Sequence, residues 1–127
     1  MTNQWYNKLN KSKLTPPDYI FPIVWSILYI TIFISFFIIV YLSGFSHKKA
    51  ILFLTIQMIL NLLWAPIFFK LQNIRLSLIV ILSMWMFILL TIIEFFKINK
   101  FAGTILIPYF LWVSLAIYLN AYIYLNN

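Results

Sequence analysis

Two stretches of the sequence carry polar and aromatic side chains at helical spacing inside segments that hold no charge. Positions three or four residues apart lie on the same face of an α-helix, so the members of each set share one face. The two sets are Gln57, Asn61, Trp64 and Phe68, and Pro108, Trp112, Ala116 and Asn120. Aromatic rings on facing helices can hold a flat conjugated molecule between them, while a few amides or hydroxyls fix its edge. These faces therefore indicate a small-molecule site.

The amides on these faces have a second explanation. An amide in hydrocarbon must find a hydrogen-bond partner, so Gln57, Asn61 and Asn120 should point into a helical bundle. Hydrogen bonds between helices explain each amide as well as ligand contact does. Both interpretations stay open for the amides.

The tryptophans divide by position. Tryptophan is usually found at the membrane interface, which suits Trp5 and Trp64. Trp25 and Trp112 fit that account less well, because Trp112 stands about three turns into its apolar stretch. They are the better candidates for the walls of a binding site.

Residues for conventional catalysis are scarce. The carboxylates are Asp18, which is expected to cap the helix that follows it, and Glu94, three residues before Lys97. That spacing favours an ion pair at the membrane surface over a proton relay. His47 stands alone in a basic connector and the chain has no cysteine. We therefore expect no metal site, no thiolate nucleophile and no cofactor.

Membrane helices must position these residues. Of the 127 residues, 65% are hydrophobic and 9% are charged, which is too apolar for an ordinary soluble domain. Four uncharged stretches approach or exceed the roughly 20 residues that cross hydrocarbon. The predicted fold class is all-α, an integral membrane helical bundle in one domain over 1–127. Its four transmembrane helices are expected at about 19–43, 49–70, 75–96 and 101–125, antiparallel because their connectors are short.

The net charge of +7 comes from basic residues between or beside the apolar stretches. This scatter favours contact with lipid headgroups and argues against nucleic-acid binding. One membrane side would carry Lys8, Lys11, Lys13, Lys70 and Arg75, and the other Lys48, Lys49, Lys97 and Lys100. Because the two sides nearly tie, the orientation stays open, with a slight preference for a cytoplasmic N-terminus.

Prolines mark two further features. Pro66 and Pro108 lie inside the second and fourth stretches, where each removes a helical hydrogen bond and is expected to kink the helix. Such kinks would open space between helices, unless packing absorbs them. Pro16 and Pro17 hold the backbone extended before the first stretch, so residues 5–18 are expected to form an ordered loop against the membrane surface.

Four motifs follow one another along almost the whole chain. The first comprises Trp5, Tyr6, Leu9, Lys11, Pro16 and Pro17, with Ser12 between them. It is followed by "FPIVWSILY", "QMILNLLWAPIFF" and "PYFLWVSLAIYLN". In order and spacing these motifs resemble the TspO/MBR family, also called tryptophan-rich sensory protein, translocator protein or peripheral-type benzodiazepine receptor; Ser12 stands where that family has a proline.

The resemblance implies an α-helical membrane protein, commonly a homodimer, with a pocket beneath the loop at 1–18 that binds porphyrin or a related tetrapyrrole. Carried over by position, Tyr6, Trp25, Asn61 and Trp112 would line that pocket. Some bacterial members are reported to degrade protoporphyrin with light and oxygen, which would make Trp25 and Trp112 catalytic. The family has five helices, so the resemblance also implies that the first helix, before the loop, is missing here.

The expected function is a tetrapyrrole-binding receptor or translocator, multi-pass in a bacterial membrane or, alternatively, an organelle membrane. One alternative is a small proton-coupled multidrug transporter, which would need a membrane-buried carboxylate and has Glu94 as its candidate. The others are a light-dependent porphyrin-degrading enzyme and a bundle whose aromatic residues serve packing alone. Cholesterol recognition by the usual short pattern is unsupported, because no basic residue follows Lys100.

Overall fold

The structure, a computed structural model, describes residues 8, 9, 11, 13–17 and 19–127. Its helices are α1 (Ile20–Ser43), α2 (Lys48–Ala65), α3 (Ile74–Ile98), α4 (Lys100–Thr104) and α5 (Ile107–Asn126), with a π-helical turn over Pro66–Lys70. Trp5, Tyr6 and Asp18 lie outside the described residues. The predicted ligand contact of Tyr6 and the predicted helix cap at Asp18 therefore stay predictions.

Four helical spans are long and apolar enough to cross a membrane: Ile20–Ser43, Lys48–Lys70, Ile74–Ile98 and Lys100–Asn126. They hold 23 to 27 residues. At 1.5 Å per residue even the shortest reaches about 34 Å, against about 30 Å of hydrocarbon. Lipid offers no hydrogen-bond partners, so a helix is needed to satisfy the backbone of each span internally. The predicted membrane bundle with four transmembrane helices is confirmed.

The core of the bundle is built around α3. This helix packs against α2, α4 and α5, whereas the main backbone neighbour of α1 is α4. The buried face of α3 repeats every three or four residues and includes Ser77, Ile81, Met84, Ile88, Thr91, Ile92 and Phe95. Such a repeat is typical of helices that pack side by side at a shallow angle.

Small residues attach α1 to α4. Ser35 on α1 and Ala102 on α4 are fully buried, and Ser35 Oγ donates a hydrogen bond to the Ala102 carbonyl at 2.8 Å. Next to this contact, Gly103 leaves room for Phe96, since a Cβ at position 103 would lie 2.5 Å from the Phe96 ring. Small residues let membrane helices approach closely, so α1 is anchored in its C-terminal half.

The two prolines act differently from each other. At Pro66 the α-helical pattern of α2 stops, and the wider turn is closed by a hydrogen bond from the Leu71 N–H to the Pro66 carbonyl at 3.1 Å. Pro108 lies inside the fourth span but in the first turn of α5, so it interrupts the span between two helices and does not bend one continuous helix. Because Pro108 has no N–H for the Thr104 carbonyl, α4 ends at Thr104 and the fourth span restarts at Ile107.

An ion-pair cluster joins the start of α2 to the end of α3. Glu94 Oε1 lies 3.3 Å from Lys97 Nζ and 3.6 Å from Lys49 Nζ. The predicted pair of Glu94 with Lys97 is confirmed, and Lys49 adds a link between helices. Both lysines are mostly exposed, so each pair contributes at most about 1 kcal/mol.

Candidate ligand-binding site

A small cavity lies between α1, α5 and the turn that follows α2, near the end of the bundle where α1 begins. It is lined by Phe21, Trp25, Trp64, Phe68, Phe69, Trp112, Ala116, Leu119, Asn120 and Ile123. Six of these ten side chains are aromatic, and Asn120 supplies the only amide in the lining. Such a wall is suited to the faces of an apolar, aromatic molecule.

Trp25 and Trp112 meet across this cavity. Their ring centroids are 6.5 Å apart and their planes are 87° apart, which is an edge-to-face contact. Phe21 makes a second such contact with Trp112, at 5.9 Å and 65°. Edge-to-face contact is favourable because the positive ring edge meets the negative ring face. The two tryptophans thus face each other as the helical spacing suggested, but they fill the gap and do not form parallel walls of a slot.

The cavity is small. It encloses about 50 Å³, which is enough for a few water molecules, whereas small-molecule sites usually measure roughly 300–1,000 Å³. A cavity of this size is too small for a multi-ring molecule unless lining side chains move.

The N-terminal loop lies beside the cavity. Leu9 packs against the cluster of Phe68 and Ile123. Both of these residues also line the cavity. The described part of the loop therefore shares apolar contacts with the cavity wall.

One polar network supports the wall from α5. Asn120 is 2% exposed, and its Oδ1 accepts a hydrogen bond from Trp64 Nε1 at 3.0 Å. The same oxygen lies 3.2 Å from Ser77 Oγ on α3. Asn120 thereby holds the Trp64 ring in place and joins three helical segments.

A second polar network joins α1, α2 and α5. Tyr29 Oη donates to Asn61 Oδ1 at 2.5 Å, and Asn61 Nδ2 donates to Tyr109 Oη at 2.7 Å. Tyr109 Oη in turn donates to Gln57 Oε1 at 2.7 Å. The Trp25 ring contacts both tyrosine rings, tilted against Tyr29 at 5.8 Å and edge to face with Tyr109 at 6.4 Å between centroids. Through these ring contacts the network positions Trp25, which lines the cavity.

A wider groove lies between α1 and α2 and opens sideways. Its volume is about 420 Å³, and it is lined by Tyr29, Ile32, Phe33, Phe36, Leu54, Thr55, Met58, Ile59 and Leu62. The Thr55 hydroxyl donates to the Ile51 carbonyl at 2.8 Å, so it offers the groove no free donor. This wall is more aliphatic and more open than the cavity and suits contact with lipid chains better than it suits a flat ring.

Comparison with known proteins identifies the family of this chain. A model of the TspO/MBR family matches residues 1–125. The chain belongs to the TspO/MBR family. Its relatives include the tryptophan-rich sensory protein of Cereibacter sphaeroides, 33% identical over 118 residues, which are 93% of this chain and 73% of that one. The tryptophan-rich protein TspO of Chlorobaculum tepidum is 37% identical over 121 residues, 91% of this chain and 75% of that one.

A more distant member comes from a eukaryote. The human translocator protein is 28% identical over 127 residues, which cover 98% of this chain and 75% of that protein. The predicted family is thus confirmed, and so is the prediction of an integral, multi-pass membrane protein.

The residues predicted to bind ligand have different surroundings in the structure. Trp25 and Trp112 line the cavity. Asn61 is buried outside the cavity lining and bonds to two tyrosines, while Tyr6 lies outside the described residues. Among the three amides singled out from the sequence, Asn120 alone both lines the cavity and bonds between helices.

Sequence reasoning did not assign roles to Tyr29, Tyr109 and Phe21. A signal was present for both tyrosines, because Tyr29 stands four residues after Trp25 and Tyr109 three residues before Trp112. At that spacing each tyrosine shares a helical face with its tryptophan. Phe21 stands four residues before Trp25 and so shares that face as well, but phenylalanine is frequent throughout the first span and this one did not stand out.

Replacing Tyr109 by phenylalanine tests the second network. The variant leaves Gln57 Oε1 and Asn61 Nδ2 without their partner inside the bundle. We expect a loss of roughly 1–2 kcal/mol in the free energy of unfolding, seen as a lower unfolding midpoint in detergent. Tyr41→Phe is the matched control, because Tyr41 is 79% exposed. Equal midpoints for the two variants would show that the network does not stabilise the bundle.

Proposed function

We propose that this protein binds a porphyrin or related tetrapyrrole between Trp25 and Trp112, beneath the N-terminal loop, and acts as a homodimeric membrane receptor or translocator for it. The observation that carries the proposal is the contact of these two indoles inside a cavity with six aromatic side chains. A tetrapyrrole is flat, conjugated and apolar over most of its surface, so aromatic walls offer it stacking area. The resemblance to the TspO/MBR family implies the same ligand class.

Access to the site follows from how α1 is held. Its N-terminal half meets the bundle through the Trp25 contact with Trp112 and through the hydrogen bond from Tyr29 to Asn61. Its C-terminal half is anchored by Ser35 on α4. We propose that the N-terminal half of α1 moves outward about this anchor, which separates the indoles and widens the cavity.

Light-dependent degradation of the bound porphyrin is a second candidate, favoured by the adjacency of Trp25 and Trp112. Both oxidisable rings would then touch the ligand. Illumination of the complex in air is expected to yield a defined product with the native chain and unspecific bleaching with Trp112→Phe. The same products from both proteins would refute an enzymatic role for Trp112.

Proton-coupled transport has less support. Glu94 lies at the end of the bundle opposite the cavity, where Lys49 and Lys97 bracket its carboxylate. A carboxylate that exchanges protons for a cation must be free of such partners during part of its cycle. The observed pairing is the arrangement expected of an interfacial ion pair.

Porphyrin binding is the direct test. The change in protoporphyrin absorbance on titration into nanodiscs that contain the protein should saturate, and empty nanodiscs should not show this saturation. Replacing both Trp25 and Trp112 by phenylalanine should weaken binding roughly tenfold, because two large stacking surfaces shrink.

The oligomeric state is tested separately, by measuring the mass of the protein in the detergent-purified complex. We expect the mass of two chains. The mass of one chain would contradict the proposed homodimer.

The matched control for this titration is Trp85→Phe. Trp85 lies outside the cavity lining, stacks on Phe110 at 4.9 Å and donates to Ser114 Oγ at 2.8 Å. Its replacement should therefore leave porphyrin affinity unchanged. If the double variant and the control bind alike, the site does not lie between Trp25 and Trp112.

The proposed movement of α1 predicts a faster association for Tyr29→Phe. This variant removes the hydrogen bond to Asn61 that holds the N-terminal half of α1, so the open form should be more populated. We expect the association rate of protoporphyrin, measured by stopped-flow absorbance, to rise severalfold. Tyr41→Phe on the same helix should not change it. An unchanged or slower rate for Tyr29→Phe would exclude this movement as the access step.

A further inference from the structure

The groove between α1 and α2 lies where two consecutive helices are not packed closely on each other. The helix α2 packs mainly on α3, whereas the main backbone neighbour of α1 is α4. The gap that remains has a volume of about 420 Å³ and opens sideways, and Phe33, Ile59 and Leu62 in its wall are more than half exposed. Atoms that line an empty gap lose their contacts, so in a membrane this groove needs an occupant.

The wall of the groove offers hydrocarbon and no spare hydroxyl donor. Its hydroxyl groups are those of Tyr29 and Thr55. The Tyr29 hydroxyl donates to Asn61, and the Thr55 hydroxyl donates to the Ile51 carbonyl. An occupant with polar groups of its own would bring them into hydrocarbon without donors to meet them. The wall is therefore complementary to a hydrocarbon chain.

The depth of the groove matches that of an acyl chain. Along α2 its wall covers residues 54–62. At 1.5 Å per residue, this part begins about 9 Å from Lys48, the first residue of the helix, and ends about 21 Å from it. The hydrocarbon core is about 30 Å thick, so the wall extends from within one leaflet to the middle of the bilayer. A lipid whose headgroup lies beside Lys48 would have its chain at this depth.

The charge at the headgroup end of the groove comes from Lys48. Thr55 and Ile59 follow Lys48 by seven and eleven residues, so all three lie on one face of α2. Lys49 points towards α3 instead, where it pairs with Glu94 at 3.6 Å. Lys48 is exposed and takes part in none of the described ion pairs. Its ammonium group is therefore complementary to the phosphate of an anionic lipid.

We propose that the groove between α1 and α2 binds one anionic phospholipid, with an acyl chain along the wall and the phosphate beside Lys48. The wall accepts the chain of any phospholipid. Lys48 supplies the preference for a headgroup with net negative charge, since a zwitterionic headgroup carries its own cation next to the phosphate. The groove shares no lining residue with the aromatic cavity, so this inference does not depend on the tetrapyrrole proposal.

Two lipids with identical acyl chains test the preference for charge. Phosphatidylglycerol and phosphatidylcholine are each titrated into the full chain in detergent, and native mass spectrometry gives the affinity of the first lipid bound. The native protein should prefer phosphatidylglycerol roughly three- to tenfold, the range expected of one lysine near a headgroup. Lys48→Gln should lose most of this preference. Lys97→Gln removes a charge at the same end of the bundle, from a lysine that pairs with Glu94 on α3, and should keep it.

A second pair of variants tests the place of the chain. Ile59→Trp fills the groove, and because Ile59 is 54% exposed the larger side chain does not have to enter the core. It should weaken the first binding of both lipids severalfold. Ile79→Trp is the matched control, since Ile79 is 53% exposed on α3 and lies outside the wall. This variant should bind both lipids as the native chain does.

The position of the lipid is measured directly by crosslinking. Phosphatidylglycerol with a photoactivatable diazirine in its acyl chain should label residues 54–62 and the facing part of α1 in the native chain, and label them less in Ile59→Trp. Labels spread evenly over the four spans, or a preference for phosphatidylglycerol that Lys48→Gln leaves unchanged, would overturn the inference. So would a change from the mass of two chains to that of one in Ile59→Trp with lipid affinity unaltered, because a second copy would then be the occupant.

Discussion

An amide or phenol within hydrocarbon has no water to bond, so the polar side chains inside this bundle depend on other helices for their partners. The chain of hydrogen bonds from Tyr29 through Asn61 and Tyr109 to Gln57 meets that requirement for α1, α2 and α5 together. One residue of rotation turns a helix by about 100°, which would break these bonds. The network therefore fixes how the three helices are rotated relative to each other. Trp25 and Trp112 stand about one turn from Tyr29 and Tyr109, so the same bonds bring the two indoles into contact.

The cavity lies where regular helical bonding is interrupted. After Pro66 the backbone widens into a π-helical turn, and Phe68 and Phe69 from that turn become part of the wall. Close packing of small residues, by contrast, occurs where α1 meets α4, at Ser35 and Ala102. The molecule thus combines a tightly packed contact in the C-terminal half of α1 with looser contacts between α1 and the other walls of the cavity. Regions held by few backbone contacts open at lower free-energy cost than packed cores, which is where a ligand site that must widen is expected.

Charge plays little part in the site. The described ion pairs lie at the opposite end of the bundle, around Glu94, and the cavity lining carries no ionisable side chain. The lining offers aromatic ring faces and few polar groups, and its described side-chain hydrogen bonds are those of Asn120. In a medium of low dielectric constant each of these bonds matters more, because an unpaired polar group cannot turn to water instead.

Much of this architecture followed from the sequence alone. Apolar length determined the four spans, and the spacing of Trp64, Phe68, Trp112 and Asn120 correctly placed the faces that meet at the cavity, because periodicity reports where a side chain points around its own helix. Only the tertiary structure decided that Asn61 bonds to tyrosines while Asn120 lines the cavity, that the indoles meet edge to face, and that Pro108 begins a helix. Those outcomes depend on the rotation and height of neighbouring helices. No single helix encodes them, since they arise when polar groups from different helices pair in the absence of water.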